Sequence, residues 1–245
     1  MLNIIRGKTV APRRIMLYGV QGIGKSTWAS CAPSPIFIQT EDGAGGIDCD
    51  KFPVATSYAD VMKNLATLYT DQNTYQTIVL DSLDWMERII WSEVCKKKAV
   101  ESIEDIGYAK GYMFALTQWR ELLEALTALR NDKAITTILI AHSKIERFEN
   151  PETESYDRFA PRLHKLAAAV MQEWCDEVLF ANYKVYTKQS GEGIRKRNQG
   201  IGGDERVIHT QERPAYSAKN RLGLPEEIPL IWSEYAKYLS TQGGK

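Results

Sequence analysis

The sequence predicts an α/β fold with a mainly parallel sheet covered by helices on both faces. Three observations predict it. Short apolar runs recur along the chain without alternating with polar residues, as strands buried on both faces require. Stretches with helical spacing separate these runs. A glycine-rich turn joins the first run to the first helix. The chain has 245 residues, 44% of them hydrophobic and 25% charged, so it is long enough to bury about three quarters of its unfolded surface.

The elements follow in order. Residues 14–18 (RIMLY) form an apolar run that ends at Gly19. A helix over 25–31 is stopped by Pro33 and Pro35, and residues 36–38 make a second buried strand. Residues 52–55 suggest a short third strand. Val61, Leu65 and Leu68 give 58–69 a helical period. Residues 76–81 (QTIVLD) are the most hydrophobic strand, followed by a helix over 83–94 rich in Trp, Met and Ile. Another helix over 112–129 carries Trp119, Leu122, Leu123 and Leu126 on one side. Residues 136–141 (TTILIA) read as a strand, 162–175 as a helix and 177–181 (EVLFA) as a strand. Antiparallel strands over 184–188 and 206–210 and a closing helix over 232–239 complete the pattern. No linker marks a second domain. The expectation is a single domain, with a core over about 14–181 and an antiparallel extension over about 182–245.

Composition excludes several classes. Thirty-one basic residues balance thirty-one acidic ones, so the chain is no bulk polycation, although a local basic strip is allowed. No apolar run approaches the roughly 20 residues that span a bilayer, and the first residues lack a signal-peptide core. Cys31, Cys49, Cys95 and Cys175 lie far apart with no C-x-x-C pair. They read as reduced thiols of a cytoplasmic protein with no membrane partner.

Gly19-Val20-Gln21-Gly22-Ile23-Gly24-Lys25-Ser26 matches G-x-x-x-x-G-K-[ST], and Thr27 follows it. Glycines let the backbone wrap a phosphate chain with its N–H groups pointing inward. Lys25 supplies a point charge to the β- and γ-phosphates, and the Ser26 hydroxyl is a ligand for Mg²⁺. A chance match in a chain this long has a probability on the order of one per cent, and this one lies between a strand and a helix. Asp81, closing its strand, is the expected partner for Mg²⁺. Asp81 or Ser82 also stands where a helix N-cap is needed, and both roles are compatible.

Many AAA+ motors carry a catalytic Glu directly after this Asp, whereas here the residue is Ser82. The water-activating carboxylate must then come from elsewhere. Glu41 follows the neighbouring strand, and strand ends converge on the ligand in such sheets. It would orient or deprotonate the attacking water. Asp42 competes for the part.

A P-loop, a Glu closing the second strand, a strand ending Asp81-Ser82 and one ending Ile140-Ala141-His142 together resemble the RecA-like P-loop NTPase core. The resemblance is to short phage-encoded RecA-core ATPases, the AAA-domain or phage nucleotide-binding proteins, some of which are Sak-type single-strand annealing recombinases. It covers about residues 14–232. The P-loop is specific, while the other motifs inform mainly by their order. Bacterial recombinases carry further terminal domains; with its P-loop at residue 19, this chain is expected to be the core alone.

The resemblance implies ATP and Mg²⁺ as cofactors. It implies His142 as a polar sensor facing the γ-phosphate, where recombinases proper usually carry Gln; a core or capping histidine is the plainer alternative. It implies a second DNA-binding loop over 143–159, with Tyr156, Arg158 and, beyond it, Arg162 as stacking and phosphate-binding groups. Five carboxylates against three basic residues leave that segment more acidic than basic, which weakens the DNA reading there. A first DNA-binding loop would fall over 107–112, with Tyr108, Lys110 and Tyr112, just after Lys96, Lys97 and Lys98. Lys219 and Arg221 form a K-x-R pair that would reach the γ-phosphate of a neighbouring subunit, or they are two surface charges at a turn. Arg195, Lys196 and Arg197 in a Gly-rich hairpin tip would track a nucleic-acid backbone, or are simply solvated.

The leading expectation is a Mg-ATP-dependent ATPase that binds single-stranded DNA as a homo-oligomer, ring or filament. It would serve phage recombination or strand annealing in the host cytoplasm, with a single-strand DNA-binding protein as a further candidate partner. The alternative is an ATPase that loads or drives another phage DNA process with a protein as main partner. A nucleotide-gated structural protein that barely hydrolyses ATP is disfavoured by Glu41, and a small-molecule kinase by the lack of an Arg-rich lid.

Overall fold

The computed structural model describes residues 4, 6, 7, 9–190 and 197–240, and the side chains of 185–190, 197–202 and 240 lie outside that description. In chain order the elements begin with β1 (Arg14–Gly19), α1 (Lys25–Ser30), β2 (Pro35–Gln39), β3 (Asp50–Lys51), α2 (Tyr58–Thr70), β4 (Thr77–Asp81) and α3 (Leu83–Lys98). A 3₁₀ turn (Ile103–Asp105) leads to α4 (Lys110–Lys133), β5 (Thr136–Phe148), β6 (Tyr156–Pro161), α5 (Lys165–Trp174) and β7 (Glu177–Ser190). Then come β8 (Arg197–His209), β9 (Lys219–Asn220), β10 (Glu227–Pro229) and α6 (Trp232–Ser240).

The strands lie in the order β10-β8-β7-β1-β5-β4-β2-β3, with β6 on β5 and β9 on β7. From β3 to β7 every neighbouring pair is parallel. The β8 and β10 extension is antiparallel and joins the same sheet. The expected architecture, a mainly parallel sheet with an antiparallel C-terminal extension, is the one observed.

Side-chain alternation distributes each strand between two cores. Met16, Tyr18, Ile36, Ile38, Ile78, Leu80, Leu139 and Ala141 face one side, where buried residues of α2, α3, α4 and α5 cover them. Ile15, Leu17, Phe37, Val79, Ile138 and Ile140 face the other, against Trp28 and Ala29 of α1 and Tyr235 of α6. Both faces are therefore dry, which is why the strands read as continuous apolar runs. Trp28 meets Trp232 and Tyr235 edge-on at 4.7 and 5.3 Å between ring centres, and those two rings lie tilted on each other at 5.4 Å. That cluster docks the closing helix beneath the first one.

Three expectations need correction. Residues 143–159 were expected to form a loop. Instead β5 runs on to Phe148 and pairs antiparallel with β6 in a hairpin. Cross-strand chemistry accounts for it: Arg158 stands opposite Glu146 and donates to it, and its guanidinium lies 4.0 Å from the Phe148 ring centre. Residues 52–55 were expected to be a strand, whereas pairing stops at Lys51. Phe52 and Ala55 still donate backbone hydrogen bonds to Phe37 and Gln39 of β2. Residues 107–112 were expected to be a flexible loop, yet α4 begins at Lys110. Gly111 serves packing, since a Cβ there would lie 2.4 Å from the Ile103 carbonyl oxygen.

The helix over 83–94 extends to Lys98, so Lys96, Lys97 and Lys98 form its last turn, where their charge complements the helix dipole. All four cysteines are free thiols. Among the described residues no helix is long and apolar enough to cross a membrane.

Candidate functional site

Parallel pairing brings the C-terminal ends of four strands to one edge of the sheet. In register, Gly19 of β1 lies beside His142 of β5, and Asp81 of β4 lies between Ile140 and Gln39. Thr40 and Glu41 follow β2 directly. A cleft of about 440 Å³ opens on this edge, lined by the glycine loop, Lys25, Ser26, Thr27, Glu41, Asp81 and His142.

The loop between β1 and α1 depends on its glycines. A Cβ at Gly19 would lie 2.2 Å from the Ala181 carbonyl oxygen of β7, so the turn can leave β1 only without a side chain. Gly22 and Gly24 have φ of +76° and +106°, a region that L side chains rarely adopt. Val20, Gln21 and buried Ile23 complete the loop. The first turn of α1 has no side-chain cap, so its N–H groups are open to a ligand.

Lys25 is 6% exposed. Its ammonium donates to the Gly19 and Val20 carbonyls at 3.1 and 2.9 Å. Burial pulls its pKa down to about 8, against the opposing charges of Asp81, Asp84 and Glu41. The Ser26 hydroxyl donates to Asp81 at 2.5 Å. Burial pushes the Asp81 carboxyl up, against the Ser26 bond that favours its charge. Ser26 and Asp81 are hard oxygen donors side by side. That pair fits Mg²⁺, which binds through one or two protein oxygens and takes its other ligands from water and substrate phosphates.

Glu41 lines the cleft, whereas Asp42 is exposed outside it. The Ser82 hydroxyl donates to Glu41 at 2.7 Å. Thr40 locks the same corner, its hydroxyl donating to the Ser82 carbonyl at 2.7 Å and accepting from the Ser82 N–H at 2.9 Å. His142 is held from behind by Asp84 of α3, with Nδ1 3.0 Å from a carboxylate oxygen.

Arg162 was expected to meet nucleic acid. Its guanidinium instead donates to Asp84 beside the His142 ring. Arg158 is paired with Glu146 and Glu212, and the Tyr156 ring packs on Phe148 at 5.5 Å between centres. Tyr112 stacks on His164 at 4.0 Å. Tyr108 is 97% exposed, with the Lys110 ammonium 6.0 Å from its ring centre. Arg195 and Lys196 lie outside the described residues, as does the Arg197 side chain.

Lys219 and Arg221 lie at the opposite edge of the sheet. β9 pairs with Glu177 and Val178, the start of β7. The Lys219 ammonium donates to the carbonyls of Gln172, Glu173 and Cys175, closing the C-terminus of α5 in its own chain. Arg221 lies 3.7 Å from Asp176 with 57% of its side chain exposed.

Two residues at the cleft escaped the sequence reading. Asp84 looks from sequence like an acid in the first turn of a helix, an ordinary dipole partner. Arg206 of β8 donates to the Ile23 carbonyl at 3.2 Å, and a Cβ at Gly24 would lie 3.1 Å from its guanidinium. Nothing in the sequence ties Arg206 to a loop 183 positions earlier.

A family model described as an AAA domain, AAA_24, matches residues 11–222. The SPbeta prophage-derived uncharacterized protein YorG of Bacillus subtilis is 26% identical over 135 residues, which is 53% of this chain. The match spans 40% of that relative's length. Among solved structures, the crystal structure of the RadB recombinase is similar over 81% of this chain and 80% of its own, at 13% identity and a TM-score of 0.45.

Proposed function

The chain belongs to the AAA domain family, and from that premise we propose that it is a Mg-ATP-dependent ATPase coupled to single-stranded DNA in phage recombination or strand annealing. One observation carries the reading: Lys25, the Ser26–Asp81 pair and Glu41 converge on one cleft. The loop N–H groups and Lys25 hold the β- and γ-phosphates. Ser26 and Asp81 hold Mg²⁺, which when bound neutralises charge on the phosphate oxygens. Glu41 orients a water against the γ-phosphorus and takes its proton. The water oxygen bonds to the γ-phosphorus as the bond from that phosphorus to the β–γ bridging oxygen breaks, giving ADP and phosphate. His142 stands beside the phosphate chain.

The prophage origin in the relative's name supports the phage setting. Tyr108 and Lys110 support a stacking and charge contact with unpaired bases. Of the K-x-R pair, the exposed Arg221 is the group with reach toward a neighbouring protomer in a ring or filament. The extension shares the core's sheet, which supports reading the chain as one domain.

A second reading keeps the ATPase and makes a protein the main partner. It is favoured by Arg158 and Arg162, both already paired with carboxylates of their own chain. The steady-state ATPase rate with and without long single-stranded DNA, at low salt and saturating Mg-ATP, separates the two. Stimulation of about tenfold or more is expected. Binding should also weaken with salt, each neutralised phosphate adding about 0.7 to the log–log slope. A rate indifferent to DNA would move the function to the second reading.

A further inference from the structure

Asp84 is buried in the first turn of α3, three positions beyond Asp81. It gathers three donors. The His142 backbone N–H lies 3.1 Å from Oδ1, the His142 ring Nδ1 lies 3.0 Å from Oδ2, and the Arg162 guanidinium donates to Oδ2. The Arg162 N–H donates in turn to the His142 carbonyl at 2.8 Å. One carboxylate thus joins the start of α3, the cleft end of β5 and the segment between β6 and α5.

Burial alone would push the Asp84 carboxyl up, but the bonds from His142 and Arg162 outweigh it and hold it well below the usual carboxylate range. It is therefore ionised at neutral pH, and an ionised carboxylate only accepts. The facing Nδ1 lies 3.1 and 3.0 Å from the two carboxylate oxygens and 3.2 Å from an Arg162 nitrogen that also donates to Asp84; the charge-assisted bond to the anion is the stronger of the two it can make, which places a proton on Nδ1. Nε2 is then the ring nitrogen left to the cleft that His142 lines with Lys25, Glu41 and Asp81.

We propose that Asp84 is a positioning residue of the nucleotide cleft, fixing His142 in its Nδ1–H form with Nε2 toward the phosphates and anchoring Arg162 beside it. The consequence for turnover rests on the ATPase reading above; the tautomer does not. A merely structural buried pair would also tie α3 to β5. The difference is that such a pair would not need His142 to act.

The test uses the full chain and two readouts. Long-range ¹H–¹⁵N spectra distinguish the tautomers of the three histidines, and loss of one set in His142→Gln assigns the resonance. The wild type is expected to show Nδ1–H at His142; an Nε2–H form there overturns the proposal, and this reading needs no Asp84 variant to fold. For turnover, Asp84→Asn is expected to lower kcat about 10- to 100-fold, the scale for losing an orienting carboxylate behind a histidine. KM for Mg-ATP should stay within about threefold. In a His142→Gln background the same substitution should cost less than about twofold. An equal loss in both backgrounds overturns the proposal. A wild type that hydrolyses no ATP defeats the ATPase reading alone, and the spectra still decide the role of Asp84.

Discussion

The Ser82 hydroxyl donates a 2.7 Å hydrogen bond to the Glu41 carboxylate. A serine follows Asp81 at the position where many AAA+ motors carry a glutamate. The carboxylate reaches the cleft from the end of β2, and the serine holds it there. Thr40 adds two hydrogen bonds between the same two segments, so Glu41 is fixed relative to Asp81 by the backbone as well.

Ser82→Ala tests that contact. It removes the donor but neither carboxylate. Turnover is expected to fall about 3- to 10-fold, the scale of one hydrogen bond, with Mg-ATP affinity unchanged. Steady-state kinetics beside a binding titration would check it.

Lys25 trades stability for a charge in the phosphate site. Its folded pKa of about 8 lies below its ordinary value of 10.5. The unfolded chain therefore binds more protons between those values, and stability rises with pH across that window. Relative to the wild type, Lys25→Met should be more stable at pH 7 than at pH 10.5 by about 3 kcal/mol, the loss of the two carbonyl contacts being common to both. The advantage should fade between about pH 8 and 10.5. Denaturant unfolding of both proteins at pH 7 and pH 10.5 would read it.

Glu87 gives the opposite dependence. It is buried under the start of α5, accepting from the His164 N–H at 2.9 and 3.0 Å. Burial pushes its pKa up to about 7 from 4.5, against the His164 bond and the charge of Lys144, with Asp84 adding to the rise. The native state then binds more protons between those values. Its contribution is full below about pH 4.5 and is lost as pH rises through 7. Glu87→Gln, which keeps the acceptor, should match the wild type near pH 4.5 and exceed it by about 3 kcal/mol at pH 8. Unfolding midpoints at the two pH values are the check.

Gly19→Ala probes the base of the phosphate loop. Its Cβ would meet the Ala181 carbonyl oxygen at 2.2 Å, so β1 and β7 must part. Destabilisation of about 1–3 kcal/mol is expected from overpacking, with loss of nucleotide binding. Calorimetry would show an unchanged melting temperature if the contact did not matter.

The strands and the phosphate loop were legible because their signals are local. A strand dry on both faces must be apolar throughout, and a loop around phosphate must have glycine at fixed offsets. Glu41 and Asp81 were legible because parallel strands carry chain order into space. The β5–β6 hairpin was not, because Lys144, Glu146 and Arg147 put charge on both of its faces and erase the two-residue alternation. Its logic lies across the pair, where Glu146 meets Arg158. Asp84 was hidden because its partners lie 58 and 78 positions away. Lys219 read as a surface charge with reach, and only the fold shows the three carbonyls at the C-terminal end of α5, those of Gln172, Glu173 and Cys175, that it closes.

If Glu41 activates the water that attacks ATP in this cleft, Glu41→Gln separates turnover from binding. The substitution removes the base and leaves Lys25, Ser26 and Asp81 in place. Mg-ATP binding by calorimetry is expected within about threefold of the wild type, with turnover down about 100-fold or more. Wild-type turnover in this variant would mean that Glu41 is not the base.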